Sequence, residues 1–309
     1  MKLGIGLTDF SWPVPVTELG ATITGFARQA DEAGFDSLWV MDHFFQIRMT
    51  GQPPDSPMPE AYATLGVLAG QTTRIKLGTL VTSVAYRHPG VLLKTVTTLD
   101  VLSGGRMYLG VGAGAPWNIE PSGPGTAWEA EGLGIPFPPL ADRFEMLEEL
   151  LQAAHRMWSD GDAPYTGRHY QFVRPLNSPN SVQRPNPPIL VAGGGEKKTL
   201  RIVARYADAC HLLDAPDSPL GGDLKRKLDV LRTHCDAAGR DYGQIEKTVG
   251  VQADLADDPA KGASALLARL RELAGLGFEH ALVAVRGPMS DEKLAALAAI
   301  LPEVRALGC

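Results

Sequence analysis

Two patterns of apolar positions alternate along this chain. Short, nearly continuous apolar runs are typical of parallel strands that helices cover, and apolar residues three or four positions apart are typical of helices with one buried face. The patterns alternate eight times, which predicts eight strands that are each followed by a helix. The predicted strands are 3–7, 36–41, 75–81, 106–112, 188–192, 208–213, 245–254 and 280–285.

Residues that favour helix termini set the limits of the predicted helices. Thr17 is predicted as the N-cap of the first helix, and Gly34 follows its last turn. Pro59 is predicted to start the second helix, because proline suits the first helical position. The predicted helices are 17–34, 59–72, 90–103, about 141–158, 197–207, 222–239, 259–277 and 291–307.

Eight consecutive strand–helix units predict a (β/α)8 TIM barrel with loop insertions at the C-terminal face of the strands. An open doubly wound sheet also alternates strands and helices, but it more often has fewer units. Two segments interrupt the alternation: 113–140 is rich in proline and glycine, and 161–187 is predicted as a short extended segment and a loop. The alternation resumes after both segments, so we expect a single domain over 1–309.

Composition limits the kinds of molecule that the protein is expected to bind. The 309 residues carry a net charge of −6 with no long basic block, so a nucleic-acid or anionic membrane surface is not indicated. Cys210, Cys235 and Cys309 lie far apart, which argues against a disulfide scaffold or thiolate metal site and for a reducing compartment. No signal peptide or 18-residue apolar span is evident. We expect a cytoplasmic enzyme with a small-molecule substrate and with no nucleic-acid or membrane partner.

Asp42 and His43 end the second predicted strand, where barrel enzymes carry their active sites. Histidine titrates near neutral pH and transfers protons, which makes His43 a candidate acid or base. Because side chains alternate along a strand, only one of the two would face the barrel mouth unless the chain bends there. An Asp–His pair that only caps the loop is the alternative.

The glycine-rich segment "GVGAGA" (110–115) fits the dinucleotide pattern GxGxxA. That pattern requires a helix immediately afterwards, whereas Pro116 and a long loop follow here, so the dinucleotide interpretation is rejected. Gly112 and Gly114 would instead let a flat ligand approach the backbone at the barrel mouth. A tight turn without a ligand is the alternative.

A second glycine-rich segment, "VAGGGEKKTL" (191–200), favours phosphate binding. A predicted strand runs into Gly193, Gly194 and Gly195, and a helix is predicted to begin at once. Free backbone N–H groups at a helix N-terminus, together with the helix dipole, bind anions. A structural turn between strand and helix is the alternative.

Aromatic residues follow several predicted strand ends and predict a pocket for a flat or apolar molecule. Packing of each ring beneath its own loop is the alternative, and it is favoured for Trp128. The sequence lacks HExxH, a spaced His/Cys cluster and GxSxG, so no metal site or serine nucleophile is predicted. The aromatic residues are Phe10, Trp12, Phe44, Phe45, Trp117 and Trp128.

Several stretches together resemble the luciferase-like monooxygenase superfamily, and more closely its branch that uses the deazaflavin coenzyme F420. They run from about residue 28 to 213. The resemblance implies a (β/α)8 barrel, usually a homodimer, with the coenzyme at the C-terminal ends of the strands. The matching stretches are "ADEAGFDSLWVMDHF", "PEAYATLGVLA", "TTRIKLGTLVTSVAYRHPGVLLKTVTTLDVLSGGRMYLGVGAG", "PFPPLADRFEMLEE", "GRHYQF" and "PPILVAGGGEKKTLRIVARYADACHL".

The resemblance also implies roles for individual residues. His43 resembles the catalytic imidazole beside the reacting carbon, and Asp42 resembles a residue that touches the deazaflavin ring. Leu80 and Val81 correspond to a non-proline cis peptide bond that supports the ring. The remaining implied contacts to the ring and phosphate are Gly112, Asn118, Ala192, Gly193, Gly194 and Gly195.

One position departs from the sugar-phosphate dehydrogenases of this branch. They place a glutamate directly after the GxG glycines, whereas this chain has Ala115, with Glu120 further along the loop as a candidate substitute. The sequence therefore predicts an F420-dependent oxidoreductase that acts on an unidentified small organic substrate. The alternatives are an FMN-dependent monooxygenase of the same superfamily, which uses reduced flavin and O2, and a non-catalytic flavin-binding protein.

Overall fold

Parallel strands form a barrel in the computed structural model, which describes residues 1–47, 50–114, 126–159, 161–215 and 221–308. The strands are β1 (Lys2–Leu7), β2 (Ser37–Val40), β3 (Lys76–Thr79), β4 (Thr82–Ser83), β5 (Leu109–Gly112), β6 (Tyr165–Thr166), β7 (Gln171–Phe172), β8 (Ile189–Ala192), β9 (Ala209–Leu213), β10 (Glu246–Ala253) and β11 (His280–Val285). They pair in the order β3-β2-β1-β11-β10-β9-β8-β5-β4, and β6 pairs with β7 in a separate hairpin.

The two ends of the sheet belong to one barrel strand. β3 lies within the third predicted strand, 75–81, and β4 continues that strand beyond its predicted end and pairs in parallel with β5. A bridge between Leu77 and Met107 connects β3 to the residues before β5. The eight predicted strands therefore form the barrel wall, and the predicted (β/α)8 fold is confirmed.

Helices cover the outer face of the barrel. They bury a continuous apolar core against the outward side chains of the strands. The helices are α1 (Leu19–Ala33), α2 (Ala61–Gln71), α3 (Pro89–Leu102), α4 (Thr126–Gly132), α5 (Leu140–Trp158), α6 (Thr199–Tyr206), α7 (Leu224–Ala238), α8 (Pro259–Gly275), α9 (Asp291–Ala299) and α10 (Leu301–Arg305). None of these helices has the length and apolarity that a membrane span needs.

Several predicted helix boundaries are wrong. Thr17 lies within a short 3-10 turn, and α1 begins after it at Leu19. Pro59 lies outside α2, because Glu60 is the N-cap and its carboxylate accepts a hydrogen bond from the N–H of Ala63 at 2.6 Å. The last predicted helix is divided into α9 and α10, because Pro302 has no N–H to donate and its ring obstructs a continuous helix.

The two insertions contain structure that the sequence pattern did not predict. The segment 113–140 includes α4, and the segment 161–187 includes the hairpin β6–β7. Glu149 of α5 holds the hairpin turn, because its carboxylate accepts hydrogen bonds from the N–H groups of Arg168 at 2.7 Å and Tyr170 at 3.0 Å. The hairpin is thus attached to the helix that follows the first insertion.

A second, smaller core fills the barrel interior. Trp39, Tyr108, Leu190, Ala209 and Leu282 pack together there. The Trp39 ring occupies space that a side chain on the neighbouring strand would need, since a Cβ at position 78 would lie 2.6 Å from the ring. Because the interior is filled, a ligand has room only above it, at the C-terminal ends of the strands.

Polar side chains close the opposite, N-terminal end of the barrel interior. Glu246 pairs with Lys2 at 2.7 Å and lies 3.4 Å from Nδ1 of His280. Ser37 shares a hydrogen bond of 2.8 Å with Nε2 of His280 and accepts one from Trp39 Nε1 at 2.7 Å. Burial alone would raise the pKa of Glu246, but the nearby His280 and Lys2 lower it to about 2. Side chains at this end of a barrel usually serve stability rather than catalysis.

Candidate functional site at the C-terminal ends of the strands

Asp42 and His43 have opposite surroundings although they are neighbours. The Asp42 carboxylate is fully buried, whereas 22 % of the His43 side chain is exposed. Counted from Trp39, whose ring lies inside the barrel, alternation places His43 on the inner side and Asp42 on the outer side. His43 is therefore the residue of this pair that faces the mouth.

The Asp42 carboxylate is fully engaged by Arg87. Nη2 of Arg87 donates to Oδ1 at 2.9 Å, and Nη1 donates to Oδ2 at 2.5 Å. Arg87 also pairs with Glu60 and lies over the ring of Tyr62 at 4.7 Å. Burial alone would lower the pKa of Arg87, but the Asp42 carboxylate outweighs it and raises the pKa. The Asp42 carboxylate is thus paired within the chain, and contact between Asp42 and a ring stays a prediction.

A buried glutamate that the sequence analysis did not identify holds the His43 ring. Nδ1 of His43 lies 3.0 Å from both carboxylate oxygens of Glu129, whose side chain is fully buried. The Tyr86 hydroxyl and the N–H of Phe45 donate to the same carboxylate, the latter at 3.3 Å. Within the described part of the chain, the hydrogen bonds of the ring are all made by Nδ1, and Nε2 makes none with those residues.

Leu80 and Val81 form an apolar floor beside the end of β2, where the N–H of Leu80 donates to the carbonyl of Val40 at 2.9 Å. The peptide bond between them is cis, as the resemblance implied. Both side chains are half-buried, and together with Ala192 they pack on the interior core beneath. A flat apolar ring could lie on such a surface without leaving a polar group unpaired beneath it.

The glycines after the fourth barrel strand have a reason within the chain. A Cβ at Gly112 would lie 3.2 Å from Val81, and one at Gly114 would lie 2.8 Å from Nη1 of Arg143. Gly114 also has φ +79°, which disfavours other residues. Glycine is needed at both positions because neighbouring side chains leave no room for a Cβ, whether or not a ligand binds. Ligand contact at Gly112 remains a prediction. Asn118, Ala115, Trp117 and Glu120 lie outside the described residues.

The triple glycine after β8 forms an exposed turn, but the helix does not begin at once as predicted. A turn over 196–198 intervenes, and α6 begins at Thr199. Gly193 has φ +128°, and a Cβ at Gly195 would lie 2.8 Å from the Thr199 hydroxyl oxygen, so both positions favour glycine. Nζ of Lys227 donates to the carbonyl of Gly194 at 3.0 Å, which places a cation beside the turn.

The loop aromatics divide between core and mouth. Phe10 is buried in the main core and is not available as a pocket wall. Trp12 donates through Nε1 to the carbonyl of Met289 at 2.6 Å. Phe44 packs on Tyr86 at 4.9 Å between ring centroids, and Phe45 packs on Trp128 at 5.1 Å. Trp128 thus packs against the loop of the second strand rather than beneath its own loop.

One group among the described residues has the spacing of metal ligands: Asp142, Glu145 and His169. Glu145 already accepts from Nη1 of Arg168 at 2.7 Å and lies 3.0 Å from Nε2 of His169. Contacts within the chain account for Glu145 and His169, and we assign no metal to this group.

Comparison with known proteins relates the site to a family. A family model described as luciferase-like monooxygenase matches residues 1–300. A protein of Kineococcus radiotolerans named F420-dependent glucose-6-phosphate dehydrogenase is 32 % identical over 244 residues, which cover 77 % of this chain and 65 % of that protein. The chain thus spans slightly less than two thirds of the length of this curated relative.

Solved structures share the fold at lower identity. The monooxygenase RslO1 from Streptomyces bottropensis superposes with a TM-score of 0.77 at 20 % identity, over 98 % of each chain. An F420-dependent secondary alcohol dehydrogenase, in complex with an F420–acetone adduct, superposes with a TM-score of 0.76 at 17 % identity, over 98 % of this chain and 99 % of that one. At these identities the two structures support the fold alone.

Proposed function

The chain belongs to the luciferase-like monooxygenase family, and on that premise we propose that it is a coenzyme F420-dependent oxidoreductase. The observation that carries the proposal is the partly exposed His43, held by buried Glu129, at the end of the barrel where Leu80 and Val81 form an apolar floor. F420 is favoured over FMN because the curated relative in Kineococcus radiotolerans is named as F420-dependent. The substrate is a small organic molecule.

The described residues fit a flat ring that carries a phosphate. Leu80, Val81 and Ala192 would lie beneath the ring, because they are half-buried and rest on a filled interior. The exposed backbone N–H of Gly195 would bind the phosphate. The N–H of Gly193 already donates to the carbonyl of His211 at 3.1 Å, so Gly193 would contact the group only by close approach of its backbone. The deazaflavin, when bound, supplies the carbon that gives or accepts a hydride.

The chain's own contribution is positioning and proton transfer. His43 would exchange a proton with the substrate, since Nδ1 is engaged by Glu129 and Nε2 makes no hydrogen bond with the described residues. The Asp42–Arg87 ion pair would keep the end of β2 in place, so that the imidazole stays in register with the floor. Asp42, Gly112, Gly194 and Asn118 remain proposed cofactor contacts.

Titration of the purified protein with F420 and with FMN, followed by absorbance, tests the cofactor. We expect tight binding of F420 and almost no response to FMN. Binding of FMN without binding of F420 would overturn the assignment. Oxygen consumption with reduced FMN would then identify a two-component monooxygenase.

A substrate panel followed by the absorbance of F420 tests the activity. We expect at least one small organic compound to be turned over, and His43→Ala to abolish that turnover while F420 still binds. Unchanged turnover in His43→Ala would contradict the role of the imidazole. Binding of F420 without turnover of any compound in a broad panel would favour the non-catalytic flavin-binding protein.

We further propose that the protein is a cytoplasmic homodimer. Helix α2 contains no charged residue, and its exposed Val67 is 54 % accessible. Val91 and Leu102, near the two ends of the neighbouring α3, are 62 % and 73 % accessible, so a second copy would cover exposed apolar side chains of both helices. Light scattering during size exclusion should give twice the chain mass. Val67→Glu should reduce it to the monomer mass, whereas the same change at exposed Val173 should not.

A further inference from the structure

The Glu129 carboxylate brings together residues from three separate segments at the barrel mouth. Glu129 belongs to α4, His43 follows β2, and Tyr86 lies between β4 and α3. The glutamate comes from the insertion 113–140, whereas the histidine comes from the regular part of the barrel. The insertion thus supplies a side chain to the residue that we propose for catalysis.

The surroundings of the Glu129 carboxylate mark it as an acceptor. It is fully buried and receives the hydroxyl of Tyr86 and the N–H of Phe45 as donors. Burial and the Glu129 charge both raise the pKa of Tyr86, so the phenol stays protonated and donates a hydrogen bond to the carboxylate. An ionised carboxylate has no proton to donate, so it can only accept a hydrogen bond from a third group.

The position of the imidazole completes the argument. Nδ1 of His43 is 3.0 Å from Oε1 and 3.0 Å from Oε2, as expected for one N–H that points between two acceptors. A neutral imidazole carries one proton, so a proton on Nδ1 leaves a lone pair on Nε2. The partner of one ring nitrogen therefore sets the chemistry of the other.

We propose that Glu129 is a positioning residue that holds neutral His43 as the Nδ1–H tautomer, so that Nε2 is a proton acceptor at the barrel mouth. Nε2 takes up a proton from an O–H or N–H group of the substrate, and the imidazolium charge that results is balanced by the Glu129 carboxylate. The tautomer does not depend on any ligand. The catalytic consequence rests on the proposed function.

The tautomer is measured by long-range 1H–15N correlation spectra of the 15N-labelled protein, with the His43 signals assigned by comparison with His43→Ala. At pH values at which the ring is neutral, we expect a protonated Nδ1 and an unprotonated Nε2. Glu129→Gln should populate the Nε2–H tautomer, because the amide can donate to Nδ1. A predominant Nε2–H form in the wild type would overturn the proposal, as would an unchanged tautomer in folded Glu129→Gln.

Two further variants separate this effect from general disturbance. Glu131→Gln makes the same chemical change at an exposed position of the same helix and should leave the His43 signals unchanged. Tyr86→Phe removes a different donor from Glu129 and should keep the Nδ1–H form. A shift of the tautomer in Glu131→Gln would refute a specific role for Glu129. If Glu129→Gln does not fold, the wild-type and Tyr86→Phe spectra decide the question.

Kinetics distinguish this proposal from the proposed function. With a substrate from the panel, Glu129→Gln should lower kcat on the order of 10²-fold, with KM and F420 binding nearly unchanged. Unchanged kcat would overturn the positioning role and leave the F420-dependent activity standing. Absence of F420 binding in the wild type would instead remove the proposed function, while the tautomer measurement would still decide the role of Glu129.

Discussion

The guanidinium of Arg87 covers the carboxylate of Asp42 in a two-pronged contact, with Asp42 fully buried and Arg87 15 % exposed. The pair connects the end of β2 to the loop that follows β4. Since His43 is the next residue, the contact fixes the start of the segment that carries the candidate catalytic imidazole. The acid next to the imidazole thus serves the architecture of the mouth rather than contacting a ligand through its carboxylate.

Arg87→Met should destabilise the protein by about 3–5 kcal/mol, because it leaves the buried Asp42 charge without a partner. Urea unfolding at neutral pH measures the loss. Arg87→Met combined with Asp42→Asn should recover part of it, because the uncompensated charge is removed. If both variants unfold like the wild type, the pair does not hold the mouth together.

Glu246 should make stability depend on pH in the acid range. Its pKa is lowered from 4.5 to about 2, so the folded state gains stability above pH 4.5 and loses it as the pH falls toward 2. By linkage the effect is at most on the order of 3 kcal/mol. Glu246→Gln should therefore reduce the unfolding free energy at pH 7 and converge with the wild type near pH 2.

Glu303 offers the matched control for that measurement. It pairs with Arg271 at 2.7 Å, but both side chains are more than half exposed. Exposed ion pairs contribute about 0–1 kcal/mol, so Glu303→Gln should unfold almost like the wild type throughout the range. An equal loss in both variants would contradict a special role for the buried glutamate.

The sequence pattern predicts the barrel well, because each wall strand is a continuous apolar run with a helix after it. It does not predict α4, since a helix of seven residues is too short to show a reliable period. The sequence shows the triple glycine directly, but the turn that separates it from α6 depends on the packing of Thr199 against these glycines.

Side-chain partners are the part that the sequence could not supply. Asp42 and His43 were identified by their place at a strand end, yet Arg87 is 45 positions from Asp42 and Glu129 is 86 positions from His43. Such contacts arise only when separate loops meet at the barrel mouth. Alternation along the strand indicated that one of the two faces inward, and the partners decide that it is His43.

His211 should add a second pH dependence at higher pH. Burial, and then the nearby charge of His280, lower its pKa from 6.5 to about 3. Below pH 6.5 the unfolded chain binds a proton on this histidine and the folded protein does not. The free energy of unfolding should therefore decrease as the pH decreases, by up to about 1.4 kcal/mol per pH unit. His211→Asn should flatten this slope between pH 6.5 and 4.5, and the exposed His155→Asn should not. A wild-type slope in His211→Asn would assign the effect to another group.

Gly110 should be the glycine of the barrel wall that tolerates a side chain least. A Cβ there would overlap the carbonyl oxygen of Thr79, the residue before the cis bond that shapes the floor of the site. Backbone cannot move aside as a flexible side chain does, so Gly110→Ala should cost roughly 1–3 kcal/mol or more. Gly25→Ala is the matched control in α1, where no atom lies within 4 Å, and it should stabilise by about 0.5–1 kcal/mol. Thermal and urea unfolding of the two variants should therefore shift in opposite directions, and a shift of Gly110→Ala toward higher stability would mean that the third and fourth barrel strands are not as close as they are found here.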